Sequence, residues 1–144
     1  MFVVDTNILL YAAERSFPEH ERARAALLDW RQGAAAWFLT WKLIYEFVRV
    51  ATHPRVFVRP WSAPAAWEFV EALLASPGLQ ILVETSRHPE VAATVWREVV
   101  DLRGNLVHDV HTAIVMREHG IRDICTRDTD FNRFPFLRVV DPLV

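Results

Sequence analysis

The chain has 144 residues, 52% of them hydrophobic, and a formal net charge of −2, which suits one globular domain over residues 1–144 without the basic excess typical of nucleic-acid binders. Its single cysteine, Cys125, excludes an internal disulfide framework and a cysteine-based zinc site. No apolar run approaches the roughly 20 residues that span a bilayer, and the N-terminus lacks a secretory-signal pattern, so we expect a cytoplasmic protein without membrane contact.

The first half of the chain alternates short apolar runs with helical patterns. Ser16 and Glu19 have the spacing of a capping box, which predicts that the second helix begins there. The predicted elements are a strand at residues 2–4, a helix at 7–13, a helix ending near residue 30, a strand at 36–40 and a helix at 41–52.

The second half continues the same alternation after a loop at residues 53–61 that contains two prolines. Ser62 is the expected cap of a helix at residues 63–75. A strand at 79–83, helices at 89–102 and 106–119, a strand at 123–126, a partly helical turn at 128–134 and a strand at 137–140 follow. Strands separated by helices predict an α/β fold with a mainly parallel sheet covered on both faces.

Four acidic residues lie in apolar surroundings. Asp5 ends the run FVVD and Asp128 follows the predicted strand in CTRDTDF, while Glu46 in LIYEFVRV and Asp109 in GNLVHDVHTAI lie on predicted helices. In open α/β sheets, ligands bind beyond the carboxyl ends of the strands. We therefore expect the four acids to converge at that edge.

Each acid also has a purely structural interpretation. Asp5 is equally suited to cap a helix, Glu46 to pair with Lys42 or Arg49 along a helix, and Asp109 to interact with a helix dipole. Asp128 can cap the following turn, as can Asp130 two residues later. These interpretations account for the acids one at a time but leave their joint placement unexplained.

A cluster of carboxylates suits a hard divalent cation such as Mg²⁺ or Mn²⁺. Without a cation, such acids repel one another and some take up protons. With one, water can be activated and a phosphate oxygen polarised, which is the chemistry of phosphodiester hydrolysis. Asn7 and Thr126 are candidate neutral partners that orient the ligands.

The motifs FVVDTNILLYA, YEF, NLVHDVHTA and TRDTDF together resemble the PIN-domain ribonucleases, in particular the VapC-type toxins of toxin–antitoxin pairs. The resemblance implies a three-layer α/β/α domain, an Mg²⁺- or Mn²⁺-dependent endoribonuclease activity on RNA, a homodimer and a cognate VapB-like antitoxin. By position, Asp5, Glu46 and Asp109 match the first three acids of the family and Asp128 the fourth, with Asp130 as the alternative fourth acid. Asp5 and Asp109 are then the foremost metal ligands.

Other functions fit the sequence less well. A haloacid-dehalogenase-like phosphatase would use Asp5 as a nucleophile, but it requires a second aspartate where this chain has Asn7. An HD-type phosphohydrolase is a second alternative, but that family is all-helical, whereas FVVD and LQILV in this chain predict strands. A catalytically silent PIN-like interaction module is the non-enzymatic alternative, against which the presence of all four acids argues.

Several residues near these motifs have no assigned role in catalysis. His108 and His111 flank Asp109 and are expected on a polar helix face, with RNA phosphate as the alternative partner. The aromatic residues Trp41, Phe47, Trp61 and Trp67 are expected in the core or in a dimer contact rather than as base-stacking platforms.

Overall fold

The computed structural model describes all 144 residues, Met1–Val144, as a sheet of five strands with helices on both faces. The strands are β1 Phe2–Val4, β2 Trp37–Thr40, β3 Leu79–Leu82, β4 Asp123–Cys125 and β5 Arg138–Val140. The helices are α1 Thr6–Ala13, α2 His20–Gln32, α3 Trp41–Ala51, α4 Ala63–Leu74, α5 His88–Glu98 and α6 Leu106–Glu118, with a 3₁₀ helix at Thr129–Arg133. None of these helices combines the length and the apolar character needed to cross a membrane.

The strands lie in the order β3-β2-β1-β4-β5, and every neighbouring pair is parallel. Val3 in the central strand is in register with Phe38 on one side and Ile124 on the other. The chain adds β2 and β3 to one side of β1 before it adds β4 and β5 to the other. The crevice expected where the strand order reverses therefore lies between β1 and β4, at their carboxyl ends.

Alternating side chains along the strands build two hydrophobic cores, one on each face. Val3 and Ile124 face the core that α5, α6 and the 3₁₀ helix cover. Val4 and Cys125 face the core that α1 to α4 cover. This three-layer α/β/α arrangement confirms the predicted fold class, and the sheet is wholly rather than mainly parallel.

Two local predictions were wrong. The predicted helix at residues 89–102 ends at Glu98, because Val99 is extended and Asp101 has a positive φ of 59°. The predicted capping box at Ser16 is absent: Glu19 is the N-cap of α2 and makes no side-chain capping bond. The predicted cap of α4 is confirmed, since the Ser62 hydroxyl accepts a hydrogen bond from the Ala65 N–H at 3.2 Å.

Candidate active site

Asp5 combines the two roles that the sequence left open, a helix cap and a member of an acidic cluster. It follows β1 in extended conformation and caps α1, where its Oδ1 accepts a hydrogen bond from the Thr6 N–H at 2.8 Å. Its Oδ2 accepts a second bond from the Thr126 hydroxyl at 2.6 Å. With only 8% of its surface exposed, the carboxylate is held in one orientation from both oxygens.

Thr126 organises the crevice between β1 and β4. Besides donating to Asp5, its fully buried hydroxyl oxygen accepts hydrogen bonds from Asn7 Nδ2 and from the Asp128 N–H, both at 2.9 Å. Asn7 Oδ1 is buried and receives no hydrogen bond within the protein. A buried oxygen acceptor without a hydrogen-bond donor is rare and destabilising in a protein interior, unless another group satisfies it.

Asp109, Asp128 and Asp130 form the tightest acidic group. One carboxylate oxygen from each lies within 4.8 Å of the others. Asp109 extends from the first turn of α6, and Asp128 caps the 3₁₀ helix by accepting the Asp130 N–H at 2.8 Å. The fold thus brings both candidates for the fourth acid beside Asp109.

The two remaining acids, Asp5 and Glu46, lie close enough to Asp109 for their charges to raise its pKa. Burial, with smaller contributions from the charges of Glu46 and Asp128, raises the pKa of Asp5 to about 6 despite the hydrogen bonds from Thr126 and Thr6. The Asp109 pKa is raised to about 7, mainly by burial and then by the Asp5 charge, with smaller contributions from Asp128 and Glu46. Four acids therefore share one electrostatic environment, and Asp130 lies beside two of them.

This donor set fits a hard divalent cation. It consists of carboxylate oxygens and one unsatisfied amide oxygen, without thiolate ligands. The histidines next to Asp109 do not change this chemistry, because neither belongs to the group of close ligand atoms and His111 Nε2 contacts Glu84 at 2.6 Å. The residues present are consistent with Mg²⁺ or Mn²⁺.

Lys42 is the basic residue next to the acidic group. It lies in the first turn of α3, and its ammonium group lies 3.8 Å from the Glu46 carboxylate, as the helical spacing of the two residues predicts. Its charge also lowers the pKa of Asp109. The sequence predicted the pair with Glu46 from the spacing of one helical turn, but it carried no signal that this only lysine of the chain lies near Asp109.

Comparison with known proteins identifies relatives along the whole chain. The sequence matches the PIN domain family over residues 2–137. Ribonuclease VapC48 of Mycobacterium tuberculosis is 32% identical over 141 residues, which cover 96% of this chain and 94% of the relative.

Two solved structures have a similar fold. VapC20 of Mycobacterium tuberculosis, described as a sarcin–ricin loop cleaving toxin, has a TM-score of 0.64 and 20% identity over 92% of this chain and 93% of that one. VapBC2 of Rickettsia felis, solved with a DNA fragment from their promoter, has a TM-score of 0.65 and 14% identity over 96% of both chains.

Proposed function

The chain belongs to the PIN-domain family, and on that basis we propose that it is a metal-dependent endoribonuclease that hydrolyses RNA phosphodiester bonds. The observation that carries the proposal is the convergence of Asp109, Asp128 and Asp130 within 4.8 Å, beside a buried Asp5. The ribonuclease named among the relatives supports RNA as the substrate class.

Asp5 and Asp109 would hold the cation, together with Asp128 or, as its alternative, Asp130, and Glu46 would complete the acidic wall. A bound Mg²⁺ or Mn²⁺ supplies Lewis-acid polarisation of the scissile phosphate and neutralises the carboxylates. The protein's contribution is orientation: Thr126 holds Asp5, the Asn7 amide and the turn that carries Asp128. Such rigid support is required for a productive geometry.

The structure also bears on the nucleophile alternative. A nucleophilic Asp5 would need a second aspartate as its acid–base partner two residues later, where this chain has Asn7, whose Nδ2 donates a hydrogen bond to the Thr126 hydroxyl at 2.9 Å. This arrangement favours an electrostatic or ligand role over covalent catalysis.

The test is cleavage of RNA by the purified protein with Mg²⁺ or Mn²⁺, compared with Asp5→Ala and Asp109→Asn and with added EDTA. We expect each of these changes to reduce cleavage at least 100-fold. Asp29→Asn makes the same chemical change as Asp109→Asn at an exposed position on α2 and serves as the matched control. Activity that persists in EDTA and in both variants would contradict the metal assignment, and an inactive wild type would favour the silent interaction module.

We also propose that the protein is the toxin of a toxin–antitoxin pair, acting as a homodimer with a VapB-like antitoxin. The fold similarity to VapBC2 supports a partner of this kind. Light scattering should then give twice the 16.7 kDa chain mass. Growth arrest on expression should be relieved by co-expressing the product of an adjacent short reading frame, and a lack of arrest would contradict the toxin assignment.

A further inference from the structure

An exposed row of aromatic side chains lies beside the acidic site. Trp41 and Tyr45 are one turn apart on α3, with ring centroids 6.2 Å apart, and Trp67 of α4 lies 6.5 Å from Tyr45. Their exposed fractions are 39%, 60% and 37%, so the two tryptophans lie outside the core, and the alternative that they form a dimer contact stays a prediction. Tyr45 in particular presents most of its ring to solvent.

Basic side chains surround the same surface. A cleft of about 230 Å³ is lined by Lys42, Tyr45, Glu46, Arg49 and His108. Arg49 and His108 are exposed and form no ion pair with any carboxylate, so both remain available to an anionic ligand. Because Glu46 also belongs to the acidic wall, the cleft is continuous with the proposed active site.

We propose that this cleft binds a nucleotide of single-stranded RNA next to the scissile phosphate. The base stacks on the Tyr45 ring, and the adjoining phosphate lies between Arg49 and His108. The inference rests on the proposed ribonuclease function and specifies its substrate as RNA with an unpaired base at this position.

The chemistry of the cleft favours nucleic acid over a protein partner. A base has a flat face that stacks on an aromatic ring whatever its identity, and a phosphate matches the planar guanidinium of arginine. The chain as a whole carries a net charge of −2, so attraction of RNA depends on such local groups rather than on overall charge. A base within a duplex is already paired and stacked, which makes it unable to reach Tyr45.

The test separates binding from cleavage. Fluorescence anisotropy of a labelled single-stranded RNA is measured in EDTA with wild type, Tyr45→Ala, Tyr45→Phe and Arg49→Gln, followed by cleavage kinetics with the cation. We expect Tyr45→Ala to raise Kd and KM roughly 10-fold with little change in kcat, and Tyr45→Phe to behave as wild type. Arg49→Gln should weaken binding and reduce the slope of log Kd against log salt concentration by about one, because one phosphate contact is lost.

Trp96→Ala is the control, because Trp96 is an exposed aromatic residue on α5, outside this cleft. Duplex RNA of the same sequence should bind weakly, with no effect of Tyr45→Ala. Equal Kd and KM for wild type and Tyr45→Ala would overturn the inference, as would a changed oligomeric mass with unchanged RNA affinity, which would assign the aromatic row to a protein contact. Tyr45-dependent binding without cleavage would support this inference while contradicting the proposed function.

Discussion

At the scale of single residues, Thr126 explains how an acidic cluster can be held in place before any cation binds. Its hydroxyl joins Asp5, Asn7 and the Asp128 backbone, which come from the ends of two adjacent strands. A hydroxyl both donates and accepts, and a threonine at this position uses both capacities. The residue therefore couples the geometry of the site to the pairing of β1 with β4.

We predict that Thr126→Val destabilises the protein and impairs RNA cleavage. Valine has nearly the same shape but leaves the Asn7 amide and the Asp128 N–H without their acceptor, which costs about 1–3 kcal/mol of unfolding free energy. Loss of support for the acids should reduce cleavage by roughly 10–100-fold. Thermal unfolding and cleavage kinetics measure the two effects, and Thr126→Ser should retain both properties. A fully active Thr126→Val would exclude the supporting role.

The raised pKa of Asp109 predicts a pH-dependent stability in the absence of a cation. Because the folded-state pKa of about 7 exceeds the ordinary 3.8, the folded state binds more protons between these values, and its stability falls as pH rises through this window. The variant Asp109→Asn cannot ionise at this position, so it should lack this loss of stability at high pH. In EDTA its Tm should exceed that of wild type by roughly 3–6 °C at pH 8, with a smaller difference at pH 5. If the Tm difference between Asp109→Asn and wild type shrinks as pH rises, the raised pKa of Asp109 is contradicted.

At the scale of secondary-structure elements, the site depends on where neighbouring strands end and on which face of the sheet the next helix packs. After β1 the chain enters α1 on one face of the sheet, and after β4 it enters the 3₁₀ helix on the other. The divergence opens the crevice at Asp5 and Asp128. Strand alternation and helix caps predicted most elements, but the early end of α5 depends on the backbone at Asp101, for which the sequence carries no glycine signal.

Gly78 provides a prediction about the start of β3. A Cβ atom at this position would overlap the carbonyl oxygen of Ala35, a backbone atom that cannot rotate away. The Gly78 carbonyl also accepts the Trp37 N–H at 3.0 Å, at the first pair of β2 and β3. Gly78→Ala should therefore destabilise the protein by about 1–3 kcal/mol in chemical denaturation. Gly104→Ala is not a suitable control because its φ is 62°, whereas Ser86→Ala tests an ordinary exposed position. Unchanged stability would indicate that the strand shifts to accommodate the methyl group.

At the scale of the whole molecule, a cation would relieve a repulsion that the fold itself creates. Acids from β1, α3, α6 and the turn after β4 meet at one edge, so ion binding should stabilise the folded chain relative to the unfolded chain. We predict that millimolar Mn²⁺ raises Tm at pH 8 by a few degrees and much less at pH 5, because protons compete for the ligands.

Differential scanning fluorimetry with EDTA, Mg²⁺ and Mn²⁺ tests this expectation. Asp109→Asn should abolish the cation-dependent rise, and Asp29→Asn, which alters a distant surface acid, should preserve it. An equal rise in wild type and Asp109→Asn would show that the cation binds elsewhere.

The sequence by itself determined the α/β class, the candidate acids and the family, because hydrophobic periodicity, caps and short motifs are local properties of the chain. Only the tertiary structure decided which groups meet. It placed both Asp128 and Asp130 beside Asp109, brought the Lys42 charge near Asp109 and exposed Trp41 and Tyr45 beside the acids. These juxtapositions depend on strand order, on helix rotation and on which apolar residues the cores have room to bury, and a local pattern in the sequence contains none of them.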